Sequence, residues 1–184
     1  YERLGRLLFR LRGVKSKREI ELLRKAADIS GKGFARVAKA LKPGVMEYEL
    51  EAEYAHEFLR HGGHFAYSPI IASGPDSCVL HYVDNDKPCK AGSVLLVDVA
   101  ASYANYNADV TRTLPVSGKF SKRQRKVYDA VLRVQRASIK GATVGKLHRD
   151  WQREGQLMMT EELLSLGLLK RSDIRKQTEA EPAC

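Results

Sequence analysis

The sequence predicts an α+β fold on three observations. Helical periodicity behind a serine cap fills the first third of the chain and returns after residue 120. Between these stretches, residues 64–114 read as short strands separated by turn chemistry. The order is helices, then strands, then helices, without the strand–helix alternation of a doubly wound sheet. With 184 residues, 43% of them apolar and 29% charged, the chain is long enough to bury a core. That composition excludes a collagen, a disordered tail and a disulfide-dense mini-protein.

Residues 1–13 interleave Arg3, Arg6, Arg10 and Arg12 with Leu7, Leu8 and Phe9. They have no apolar h-region or cleavage site and read as the end of a preceding segment or linker, with the domain proper over 14–184. Ser16 with Glu19 forms a capping box. Ile20, Leu23, Ala27, Phe34, Val37, Ala38 and Leu41 follow at helical spacing until Pro43-Gly44 stops the run. A second helix carries Leu50, Tyr54 and Phe58 and ends at Gly62-Gly63. Strands are expected over Phe65–Ser73, Val79–Val83, Ser93–Tyr103 and Tyr106–Leu114, with turns at residues 84–88 and at Ala104-Asn105. Ser121 with Gln124 caps a further helix whose inner stripe reads Val127, Val131, Val134 and Ser138 and which Gly141 ends. A last helical region holds Leu147, Trp151, Leu163, Leu164 and Leu166, weakened at Gly155.

Lys and Arg number 32 against 22 Asp and Glu, a net charge of +10. That excess permits an acidic partner, but a solvated basic surface is the simpler account, and nucleic acid is disfavoured as a partner. The cluster Lys119, Lys122, Arg123, Arg125 and Lys126 is read the same way. No membrane association is expected: the longest apolar run, Val94–Ala101, is interrupted by Asp98 and falls far short of about 20 residues. Cys78, Cys89 and Cys184 have no metal-like spacing and read as free thiols of a reducing compartment. His56-Glu57 with His61 and His64 resembles a zinc helix, but the histidines fall at i and i+5 rather than i and i+4. There is no glycine-rich phosphate loop and no nucleophile triad.

Asp98 and Asp109 carry the chemistry. Asp98 lies in Val94–Ala101, apolar on both faces and therefore expected to be a central strand covered on both sides. Asp109 lies on the return strand. If the turn centres between Tyr103 and Ala104, the two carboxylates are a direct cross-strand pair with Cβ atoms about 5 Å apart. If it centres on Ala104-Asn105, they are diagonal neighbours. Either way they share a face. Two such carboxylates repel, and one or two divalent cations resolve the conflict. The alternative is one aspartate paired with Arg112 or a lysine and the other exposed in a loop, although Arg112 has the wrong parity for the aspartate face.

Five runs now bear a resemblance. Ile71-Ala72-Ser73-Gly74-Pro75, Leu80-His81-Tyr82, Leu96-Val97-Asp98, Asp109-Val110-Thr111-Arg112-Thr113 and Gly118-Lys119-Phe120-Ser121 occur in order, with seventeen residues from His81 to Asp98 and eleven from Asp98 to Asp109. Together they resemble aminopeptidase P and Xaa-Pro dipeptidase, of the creatinase and methionine aminopeptidase superfamily, over about residues 14–170. The resemblance implies the pita-bread fold, of which this chain would hold the first half. It implies a cytoplasmic dinuclear-metal aminopeptidase that removes the N-terminal residue from peptides with proline second. The cofactor implied is two divalent ions, manganese by preference, held by two Asp, one His and two Glu. By motif match Asp98 and Asp109 are the two aspartates. His81 is the catalytic and substrate-binding histidine, and Tyr67 lines the same pocket; on its own residues His81 reads equally as a satisfied strand histidine.

The chain departs from the family at Ala100, where glycine is frequent, and after Asp109, where its only histidine is His148 in a basic helical setting. The remaining His and two Glu ligands are expected beyond it, so the chain is expected to be inactive alone and to cover its open half by forming a homo-oligomer. The competing expectation is a non-catalytic pita-bread module that binds protein, ribosome or nucleic acid. The retained aspartate pair argues for the enzyme.

Overall fold

The computed structural model describes residues 2–174. The chain forms two compact units, one up to Lys119 and one from Phe120 onward. The first contains helices α1 (Glu2–Gly13), α2 (Lys17–Ala40) and α3 (Glu47–Arg60), and strands β1 (His64–Phe65), β2 (Ile70–Ser73), β3 (Val94–Tyr103) and β4 (Tyr106–Pro115). The second contains α4 (Lys122–Gly141), α5 (His148–Ser165) and the short α6 (Arg171–Ile174).

Helix α2 starts where Ser16 accepts from the Glu19 N–H and the Glu19 carboxylate accepts from the Ser16 N–H at 2.7 Å. It packs on α3 and, with it, covers one face of an antiparallel sheet. β3 is the central strand. β4 pairs with it along its whole length on one edge, while β1 and β2 pair in succession along the other. The core lies between sheet and helices. Ile29 and Val37 of α2, Leu50 and Phe58 of α3, Ile71 of β2 and Leu95, Val97 and Val99 of β3 are all buried there. Each such side chain contributes about 1.5–3 kcal/mol by leaving water. The helices approach closely at Gly33, where a Cβ would lie 2.6 Å from Tyr54 Cδ1.

Five sequence expectations are corrected. The strand expected over Phe65–Ser73 breaks between β1 and β2, because Pro69 has no N–H to donate and the intervening residues bulge from the ladder. Val79–Val83 is not a strand: a 3-10 turn (Gly74–Cys78) leads into a loop held by buried side chains instead of a ladder. β3 is central, but within the first unit α2 and α3 both lie on the side of Leu95, Val97 and Val99; Asp98 opposite is half-buried. In α4, Ala130 rather than Val131 joins Val134 in the buried stripe, and Val131 is exposed. Gly155 does not interrupt α5, which packs on α4 and is tied to it by Trp151 Nε1 donating to Ser138 O at 2.8 Å. Helix α1 covers nearly all of residues 1–13, and Cys184 lies outside the described residues.

Candidate metal centre

The β3–β4 hairpin turns through Ala104 (φ 50°) and Asn105 (φ 65°), both left-handed, as a two-residue hairpin of this twist requires. The turn therefore centres on Ala104-Asn105, and the register pairs Asp98 with Thr111 and Ala100 with Asp109. Asp98 and Asp109 are diagonal neighbours on one face, the face away from α2 and α3.

Tyr67 reaches them from the broken edge strand. Phe65 pairs with Ala101 and Ile70 with Asp98, so residues 66–69 stand opposite only Val99 and Ala100. The Ala66 N–H still donates to Ala100 O at 2.9 Å, and the excess chain after it carries Tyr67 over the aspartates. Its hydroxyl oxygen lies 2.5 Å from Asp98 Oδ1 and 2.6 Å from Asp109 Oδ1. Those two carboxylate oxygens are thus no more than 5.1 Å apart, the sum of the two distances. Burial first, and then the bonds to Asp109 and Asp98, push the Tyr67 phenol well above its usual range, so it stays a neutral donor. A phenol carries one proton and can donate to one carboxylate at a time. The other close contact is oxygen against oxygen, and it asks for positive charge between the groups.

Among the described residues no cationic side chain supplies that charge. Arg112 pairs in register with Val97, on the helix side of the sheet, and its Nη1 donates to Thr111 O at 2.8 Å. Among the described residues no ion pair reaches Asp98 or Asp109. The alternative of an aspartate paired with Arg112 therefore does not hold. The donors fit a divalent ion of the manganese, magnesium or zinc class, since carboxylate oxygens are hard ligands. They amount to part of a site: among the described residues no group of three or more His, Cys, Asp and Glu is placed to hold a metal. The His56 to His64 segment is likewise no zinc helix. His61 Nδ1 instead lies 2.9 Å from Glu57 O and caps the end of α3.

His81 is brought to neither aspartate by any hydrogen bond. It is exposed in the loop between β2 and β3, in a left-handed conformation (φ 55°). What holds that loop has no signature in the sequence. Glu47, fully buried in the first turn of α3, accepts from the Ser73 N–H at 2.8 Å and the Tyr82 hydroxyl at 2.7 Å. Asn85 accepts from the Ile71 N–H at 2.9 Å and donates to Pro69 O at 3.0 Å and Glu51 Oε2 at 2.8 Å. Nothing in the sequence separates Glu47 from its exposed neighbour Glu49, because both are first-turn acids of the same helix.

The model of metallopeptidase family M24 matches residues 21–176. The Xaa-Pro aminopeptidase of Haemophilus influenzae is 38% identical over 165 residues, spanning 89% of this chain and 38% of that protein. The Xaa-Pro aminopeptidase of Escherichia coli is 38% identical over 161 residues, spanning 87% of this chain and 36% of that one. Among solved structures, a zinc-substituted E. coli aminopeptidase P in complex with product superposes with a TM-score of 0.83 at 38% identity, over 85% of this chain and 36% of that chain. Proline aminopeptidase P II from Yersinia pestis gives 0.83 at 40% identity over the same shares. The chain spans a little over a third of the length of these relatives.

Proposed function

Because this chain belongs to metallopeptidase family M24, we propose that the protein it represents is a dinuclear-metal aminopeptidase that releases the first residue of peptides with proline second. Its α+β architecture is part of the pita-bread fold. The observation that carries the reading is the Asp98/Asp109 pair, two carboxylates on one sheet face with no cationic side chain of the described residues paired to them. Asp98 and Asp109 would hold the metal, with ligands beyond this pair completing the site; manganese is the ion proposed. When bound, the ions supply Lewis-acid polarisation of the scissile carbonyl and a positive field for the oxyanion that forms. Asp98 and Asp109 stay fixed by the hairpin register, and the Tyr67 hydroxyl lies against both and donates to one of them at a time. His81 offers an exposed imidazole to hydrogen-bond the substrate.

The non-catalytic alternative gives no physical reason for two facing carboxylates, and it is not preferred. With the described residues supplying two ligands, the 184-residue chain by itself is expected to have no Xaa-Pro hydrolysis. Robust manganese-dependent cleavage that Asp98→Asn abolishes would overturn that expectation. The direct test of the centre is calorimetric titration of this chain with Mn²⁺, using the double variant Asp98→Asn/Asp109→Asn as control. Weak binding that the control loses supports the half-site. Equal binding by both proteins refutes it. A cytoplasmic location and a homo-oligomeric state belong to the same proposal.

A further inference from the structure

We infer that Glu47 is the positioning residue for the loop that carries His81. The chain leaves the sheet at Ser73 and re-enters it at Val94. The segment between has no strand ladder beyond the Met46–Pro88 bridge and scattered backbone hydrogen bonds, and side chains supply further partners. One carboxylate accepts from it at three places, from two backbone N–H groups and one hydroxyl. Glu47 Oε1 accepts from the N–H of Ser73, where the loop departs. Its Oε2 accepts from the hydroxyl of Tyr82, the residue after His81, and at 3.1 Å from the N–H of Lys87, where the loop returns. Glu47 is wholly inaccessible, and the nearby Lys87 ammonium is spent elsewhere, 2.8 Å from Asp76 Oδ1. The helix N-terminus and these three donors are what stabilise the buried carboxylate.

The consequence for His81 follows from chain connectivity. His81 and Asn85 both have left-handed backbones, φ 55° and 47°. A side-chain-bearing residue keeps that conformation only where its surroundings over-determine it. Leu80 and Val83, close on either side, are 90% and 50% exposed and supply little packing. Tyr82, 6% exposed and fixed by Glu47, is the anchor from which the His81 backbone takes its direction. Glu47 would thus act on substrate binding through His81 without touching substrate, an inference that rests on the proposed role of His81.

The test has two arms. In the first, Glu47→Gln in this chain is followed by amide hydrogen exchange and by the Cα shift of His81. The variant keeps the volume of the side chain and replaces one acceptor oxygen with a donor. Exchange at Lys87 is expected to speed up about tenfold, and the left-handed shift of His81 to be lost, while amides of β3 keep their protection. Unchanged exchange at Ser73 and Lys87 with an unchanged His81 shift overturns the inference. Should Glu47→Gln fail to fold, Tyr82→Phe removes the hydroxyl that donates to Glu47 and lies 3.3 Å from Asp86 Oδ1, leaves the Ser73 and Lys87 bonds in place, and is read at the His81 shift. The second arm uses the intact enzyme with its full ligand set. Glu47→Gln is expected to raise KM for an Xaa-Pro peptide about tenfold with kcat nearly unchanged, and to add nothing in a His81→Ala background. Additive effects of the two substitutions overturn the positioning role. If His81→Ala alone leaves KM unchanged, it is the role of His81 that fails, while the first arm still decides what Glu47 holds.

Discussion

Tyr67 owes its place to a backbone irregularity, and its hydroxyl is the nearest thing to a cation that the aspartate pair has. Tyr67→Phe should therefore destabilise the metal-free chain, by about 1 kcal/mol after allowing for the partial exposure of the site. Added Mn²⁺ should recover more stability in the variant than in the parent protein, because the unscreened carboxylates gain more from the ion. Thermal unfolding with and without metal checks both statements. The thiols differ for a related reason. Burial, followed by the nearby Glu47 carboxylate, pushes the Cys89 thiol up to about 11, whereas Cys78 is exposed. Only a thiolate reacts readily. Iodoacetamide at a pH of about 8 should label Cys78 and spare Cys89 in the folded chain, as read by peptide mass spectrometry, with Cys89 labelled once the chain is unfolded.

Helix α2 was legible from its cap, but its stripe was offset: Ile20, Ala27 and Ala38 are exposed, and Ala26, Ile29, Ser30 and Gly33 are buried with Val37. The behaviour of the cap can be predicted from its own residues. Ser16→Ala should cost about 1 kcal/mol, measured by chemical denaturation. The Glu19 carboxyl is held below its ordinary value of 4.5 first by the Ser16 backbone N–H, then by the Ser16 and Tyr106 hydroxyls. Because the folded value is depressed, the stabilisation is complete above the ordinary value and is lost as pH falls below it through the folded value. The destabilisation caused by Ser16→Ala should accordingly shrink on going from a pH of about 6 to about 3. The α2–α3 contact is set by a close approach that the sequence did not disclose. Gly33→Ala would place a methyl 2.6 Å from Tyr54 Cδ1 and 3.0 Å from Phe58 Cε1. Since those rings are buried in the core, a cost of about 1–3 kcal/mol is expected in thermal unfolding.

At the scale of the whole molecule, the edge of β4, which pairs only with β3 among the described residues, is where the proposed homo-oligomer would be covered. Light scattering coupled to size exclusion should show a dimer or larger species, and a stable soluble monomer would count against it. The helices, the hairpin and the shared face of Asp98 and Asp109 were readable in advance, because caps act within four residues and strand parity is a property of counting. Strand parity alone puts the two carboxylates on one face and Arg112 on the other. Packing settles which hairpin register holds, that Tyr67 bridges the pair from a broken edge strand, and that Glu47 rather than Glu49 is buried beneath the His81 loop. The physical reason is range. Local hydrogen bonding and side-chain parity are written into adjacent residues, whereas the contacts of Tyr67 and Glu47 join groups 26–42 residues apart and exist only once helix, sheet and loop have packed.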